Sequence, residues 1–121
     1  MMKRIPGLPG NVVGVRAVGE IEDDDYEDVL VPAIEKALET NDKIRLLYVL
    51  GEEFTGYDHE AAWDDTKLGF KTFNSYEKIA VVTGATWVRR SIKAVGWLIP
   101  GQVKVFHLDA LDEATAWVQE D

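Results

Sequence analysis

The chain has 121 residues, 46% of them hydrophobic, and carries 13 Lys and Arg against 22 Asp and Glu, a formal net charge of −9. That length supports one domain, residues 1–121, burying roughly two thirds of its unfolded surface. The charge argues against nucleic-acid binding, which needs clustered cations, and the absence of cysteine excludes disulfides, thiolate catalysis and Cys-ligated zinc.

Met2 to Ile5 reads as a short edge strand, and Pro6-Gly7-Leu8-Pro9-Gly10-Asn11 as a dense turn. Val12 to Val18 is a second strand, so the N-terminus is expected to be an antiparallel hairpin. No apolar run approaches the ~20 residues of a membrane span, and Met-Met-Lys-Arg-Ile-Pro-Gly lacks the apolar core of a signal peptide. A soluble cytoplasmic protein is expected on those grounds.

Gly19-Glu20-Ile21 leads into the acid run Glu22-Asp23-Asp24-Asp25. Asp24 and Glu27 have capping-box spacing, and carboxylates suit the positive end of a helix. Tyr26, Val29, Leu30, Ala33, Ile34, Ala37 and Leu38 recur at helical spacing. Pro32 interrupts them, which predicts a bend near Asp28 or a helix that starts late. Four adjacent carboxylates do not converge on one point, so the run reads as a solvated helix start rather than a cation site.

Leu46 to Leu50 is an unbroken apolar block closed by Gly51. A strand apolar on both faces is covered on both faces, as a central parallel strand is. Asp58 is placed to cap a second helix running to about Phe73. Ala62, Thr66, Gly69 and Phe73 form one stripe of it, with Trp63 and Phe70 on a flank about 90° away. Its small residues bury little apolar area, so it is the element most apt to move.

Lys78 to Gly84 is another apolar strand closed by glycine. Thr86 is the expected cap of a third helix, in which Val88, Ile92, Val95 and Ile99 line the buried stripe. Arg90, Lys93 and Trp97 fall on the opposite side, and Pro100-Gly101 stops the helix. Either Trp97 marks a contact surface, or the helix ends near Gly96 and folds the indole into the core. Val103 to Leu108 is the last strand. Asp109 or Asp112 opens a final helix with Leu111, Ala114 and Val118 on one face. Alternation of this kind means an α/β sheet with right-handed crossovers.

Constellations for catalysis are poor. His59 and His107 are the two histidines, and Ser75 and Ser91 lie in no nucleophile-elbow context. Glu60 and Asp64 are four apart, but no histidine completes a metal site with them. Gly84-Ala85-Thr86 offers free backbone N–H groups with Arg89 and Arg90 close behind, a place for an anion or simply a helix cap. No catalytic residue, metal or cofactor is assigned.

Several segments together resemble the SpoIIAA-like family, small bacterial proteins related in fold to STAS domains. They are the N-terminal hairpin with Val18-Gly19-Glu20-Ile21, Tyr26 with Leu30-Val31-Pro32-Ala33, Lys43-Ile44-Arg45-Leu46-Leu47, Ala61-Ala62-Trp63-Asp64-Asp65, Lys78-Ile79-Ala80-Val81-Val82, and Pro100-Gly101 before the last strand. The resemblance covers nearly the whole chain. It implies an α/β fold in which an N-terminal β-hairpin precedes a βα superhelix, with a mixed five-stranded sheet and four helices, similar also to the lipid-binding CRAL-TRIO fold. Where STAS antagonists carry a phosphorylatable Asp-Ser-Ser-Gly, this chain has Glu53-Phe54-Thr55-Gly56-Tyr57-Asp58, with Thr55 near that position and the motif unmatched.

The expected function is a non-enzymatic module that binds a small apolar or lipid-like ligand and associates peripherally with membrane, at the inner face in a bacterial cell. Trp63, Phe70, Tyr57 and Phe54 are the candidate ligand contacts. Arg89, Arg90, Lys93 and Trp97 are the candidate membrane or anion contacts. The alternative is a STAS-type protein-interaction module without the usual serine motif. Homodimerisation stays open.

Overall fold

The computed structural model describes residues 1–58, 73–98 and 100–120. Strands β1 (Met2–Arg4), β2 (Val12–Ile21), β3 (Ile44–Tyr57), β4 (Tyr76–Thr83) and β5 (Gln102–Phe106) form one sheet in sequential order. β1 is antiparallel to β2, and β2 through β5 are parallel. The N-terminal hairpin is therefore as the residues read, and the mixed five-stranded sheet as the family resemblance implies.

Helical residues begin with the turn α1 (Asp23–Asp25), pass through a π-helical turn at Tyr26–Leu30, and continue as α2 (Val31–Thr40). Past β4 come α3 (Thr86–Val95) and a 3-10 turn at Gly96–Leu98. α4 (Leu111–Gln119) follows β5 after a 3-10 turn at Leu108–Ala110. The helix expected from Asp58 to about Phe73 falls on residues 59–72, outside the described residues.

Why the helices take the faces they do follows from handedness. Parallel strands added in one direction by right-handed crossovers place the crossover helices on the same face. α2 and α3 accordingly share one core, with Leu30, Ala33, Ile34 and Val88 packed on Val13, Val15, Leu46, Tyr48, Ile79 and Val81. α4 follows the last strand and closes no crossover. It returns over the other face, where Ala114 and Val118 pack on Leu47, Val49, Ala80, Val82 and Phe106. β3 alternates between the two cores and is buried on both faces from Ile44 to Leu50.

Several boundaries differ from the expectation. The capping box is Glu22 with Asp25 rather than Asp24 with Glu27: the Glu22 N–H donates to Asp25 Oδ2 at 2.8 Å. Asp25 also accepts from the Met2 N–H at 3.0 Å, so the carboxylate tied to the hairpin sets the start. Pro32 is the second residue of α2. Its missing N–H and ring break the ladder one turn earlier, and the π turn spanning Asp28 absorbs the fault.

β3 does not stop at Gly51. It continues to Tyr57, held by β2 through the pairs Gly19↔Phe54, Glu20↔Gly56 and Ile21↔Tyr57, with register shifts that leave the extra residues in β3. Gly19 and Gly56 take φ of 67° and 131°, values open to glycine and strained for other residues. Ala85, with extended backbone and no side-chain cap, is the N-cap of α3 rather than Thr86, and its N–H donates to Thr83 Oγ1 at 3.0 Å. β5 ends at Phe106, and Leu108 lies in the 3-10 turn before α4. α4 is capped by Ala110 rather than by Asp109 or Asp112.

Candidate functional site

The β2–β3 extension overshoots β4, whose Thr83 pairs with Leu50. Ligands of open parallel sheets bind outside the carboxyl ends of the strands, and this overshoot builds a wall there. Phe54 and Tyr57 project from it with ring centroids 5.3 Å apart. Trp87, in the first turn of α3, stacks on Phe54 at 6.0 Å and meets Tyr57 edge-on at 6.4 Å. Tyr26 from the π turn lies 6.5 Å from Tyr57. Beneath them the Tyr57 hydroxyl donates to the Tyr48 hydroxyl at 3.1 Å, with the Tyr26 hydroxyl 3.4 Å from the same oxygen.

The cluster grades from a sealed base to an open rim. Tyr26 and Tyr48 are buried, Phe54 and Tyr57 half-buried, and Trp87 is 54% exposed. Such a surface offers π-faces and apolar area near a few hydroxyls, the mix that small apolar ligands use. Of the four ligand contacts expected, Phe54 and Tyr57 stand together here. Trp63 and Phe70 lie outside the described residues. Sequence reasoning missed Trp87 and the two buried tyrosines. The available signal was position, since Trp87 follows Gly84 at the carboxyl end of a central strand.

A second feature runs along α3. From Lys78 to Leu108 the chain carries Lys78, Arg89, Arg90, Lys93 and Lys104 and no acidic residue, so all 22 carboxylate side chains lie elsewhere. α3 turns Val88 and Ile92 inward. At about 100° per residue, Arg90 then faces directly outward, with Lys93 about 60° to one side. Arg89 lies roughly midway between the buried and outer faces. Arg89, Arg90 and Lys93 are all exposed.

Trp97 resolves the two alternatives in an unexpected combination. The α-helix does end at Gly96, yet the indole is 77% exposed. Its Nε1–H donates to Ala94 O at 2.9 Å. The indole dipole is thus satisfied locally, and the ring lies against the end of the helix without entering the core.

Two further cations are structural. Arg45 and Lys78 are each 7% exposed, among the few polar side chains buried in the described residues. The Arg45 guanidinium donates to Val118 O at 3.0 Å, Glu120 O at 2.6 Å and Glu77 Oε1 at 3.0 Å. Lys78 Nζ donates to Trp117 O at 3.0 Å and Glu120 O at 2.7 Å, and sits 4.9 Å from the Trp117 ring centroid. Cations suit the carbonyl end of a helix, and these two cap α4 from strands β3 and β4.

The residues screened for chemistry scatter. His107 is exposed beside Asp109, Nδ1 to Oδ1 3.2 Å. Ser91 Oγ donates to Trp87 O within α3 at 2.9 Å. His59, Glu60 and Asp64 lie outside the described residues. Carboxylates of Glu20, Glu22 and Asp58, and of Asp23, Asp24 and Glu27, come together in two groups of the kind that exposed acids commonly form. No described helix is long and apolar enough to cross a membrane.

A family model described as SpoIIAA-like matches residues 12–119. This chain belongs to the SpoIIAA-like family. Among solved structures it is similar to an uncharacterized protein of the DUF3478 family from Shewanella loihica PV-4, which has a SpoIIAA-like fold. The two are 26% identical with a TM-score of 0.79, over 97% of this chain and 93% of the other. No curated protein matches the sequence. The SpoIIAA-like assignment agrees with the sheet order and with the hairpin that precedes the parallel strands.

Proposed function

We propose that this SpoIIAA-like chain is a non-enzymatic binding module that sits peripherally on an anionic membrane surface and holds a small apolar ligand at its aromatic cluster. The observation that carries it is the α3 segment: an exposed indole in the turn just past the helix, with Arg90 and Lys93 exposed on the helix itself, within a sequence stretch free of acid in a chain of net charge −9. Interfacial helices combine aromatic side chains that enter the headgroup boundary with basic ones that meet anionic lipid. Each cation near an anionic leaflet is worth about 1 kcal/mol.

The apolar half of the reading rests on the cluster of Phe54, Tyr57 and Trp87, which opens at the carboxyl ends of the strands. The chain enters residues 59–72 directly from this point, and Trp63 and Phe70 are proposed to complete the site. Co-sedimentation with phosphatidylglycerol and phosphatidylcholine vesicles at low salt tests the membrane half. Binding to the first and not the second is expected. Equal partition onto both, or onto neither, overturns it. Native mass spectrometry of the purified protein tests the ligand half, with a bound small apolar molecule expected and lost in Trp87→Ala.

A further inference from the structure

β5 is the last strand of the sheet, and among the described residues it pairs with β4 alone. Among the described residues its outer edge has no strand partner, so it offers backbone N–H and C=O groups as a template for another strand. Five residues and one lysine are a modest guard for such an edge. The surroundings do more than guard it. An open groove of about 680 Å3 runs along the edge between α3 and β5, with Ile92, Gly96, Val103 and Val105 among its lining. Arg89 and Lys93 line it from α3, and Lys104 from the strand itself.

The charge of the groove selects its occupant. Arg89 and Lys93 are the cations on its α3 side, and its lining has no carboxylate. A strand added to β5 would alternate its side chains between the two faces of the sheet. On the α3 face they meet Arg89 and Lys93. On the opposite face they meet Lys104, whose ammonium sits 5.1 Å from the Phe106 ring centroid. A second copy fits poorly, because β5 against β5 would set Lys104 near its own counterpart and bring both cationic grooves together, a like-charge arrangement that disfavours pairing.

We infer that the free edge of β5, with the α3–β5 groove beside it, is a docking site for an extended acidic segment of a partner protein, which adds to the sheet as a sixth strand. Main-chain pairing supplies affinity, and Arg89, Lys93 and Lys104 supply selectivity for acidic side chains. The groove meets the outward face of α3 at Lys93 and Trp97, which line it, whereas Arg90 is not among its lining.

The probe is a blocked eight-residue peptide of alternating Glu and Val, titrated into 15N-labelled protein. Amide shifts and slowed hydrogen exchange are expected along Gln102 to Phe106. A peptide methylated on alternate backbone nitrogens should bind at least tenfold more weakly, as should the original peptide to the double variant Arg89→Glu, Lys104→Glu. Arg90→Glu should leave peptide binding unchanged while weakening attachment to anionic vesicles, which tells the two contacts apart although Lys93 and Trp97 border both. The proposal is overturned if the amides of 102–106 do not respond. Equal binding of the methylated peptide overturns it too, since that would reduce the contact to charge alone. The 15N spectrum of each variant confirms that it is folded.

Discussion

Replacing Arg45 by Met tests whether two strand cations hold the final helix on the sheet. Met fills most of the aliphatic volume of Arg, so the change isolates the guanidinium. Val118 is fully buried, and its carbonyl loses the donor that stands 3.0 Å away. A buried acceptor left unpaired costs about 1–3 kcal/mol. The bond to Glu77, whose side chain is 47% exposed, adds up to about 1 kcal/mol. The carbonyl of Glu120, itself an exposed residue, recovers much of its loss through water.

The sum is about 1–4 kcal/mol, with a middle value near 2–3 and a fall in Tm of roughly 10 °C for a chain of this size. In urea the midpoint should drop by about 1–2 M at unchanged slope. Hydrogen exchange should show amides 114–119 losing protection before the rest of the sheet. Lys78 shares the acceptor Glu120 O with Arg45, so either cation backs up the other, and the double variant with Lys78→Met should cost more than the two singles added. A midpoint for Arg45→Met within about 0.3 M of the parent, or strict additivity with Lys78→Met, would refute the shared cap.

Gly101→Ala should destabilise by about 1–3 kcal/mol, read by thermal unfolding, because the new methyl would press on the backbone oxygens of Tyr76 and Glu77, the latter at 2.8 Å. Trp87→Ala should cost only about 1 kcal/mol of stability, given its exposed ring and two aromatic partners, yet remove the co-purifying ligand seen by native mass spectrometry. Arg90→Ala with Lys93→Ala should weaken partition onto phosphatidylglycerol vesicles by about 30-fold at low salt, the equivalent of about 2 kcal/mol. The gap between parent and variant should close as salt is raised.

Much of the fold was legible because local pattern and global topology agree. Leu46 to Leu50 has no polar face and becomes the strand between β2 and β4. Tyr26, Leu30, Ala33, Ile34 and Ala37 keep helical spacing and all are buried. The far half of β3 was not legible, since Glu52, Glu53 and Gly56 read as loop. What makes them strand is pairing with β2, a partner more than thirty residues away, and such context overrides local preference.

The site was legible in part for the same reason. Phe54 and Tyr57 become one wall only because the strand continues, and Trp87 joins them only when β4 stops short. Spacing placed Arg90, Lys93 and Trp97 away from the apolar stripe. It left the fate of the indole open, because that depends on a hydrogen bond to Ala94 O at the helix end. The roles of Arg45 and Lys78 rest on carbonyls 39 to 75 residues further along, contacts that no local window contains.

Tryptophan quenching by brominated acyl chains probes the membrane contact at the residue that matters most. Vesicles of phosphatidylglycerol with brominated chains should quench a distinct fraction of the protein's emission, and Trp97→Phe should lose that fraction while keeping its fold. Emission unaffected by bromine, or quenching unchanged in Trp97→Phe, would contradict a lipid-facing α3.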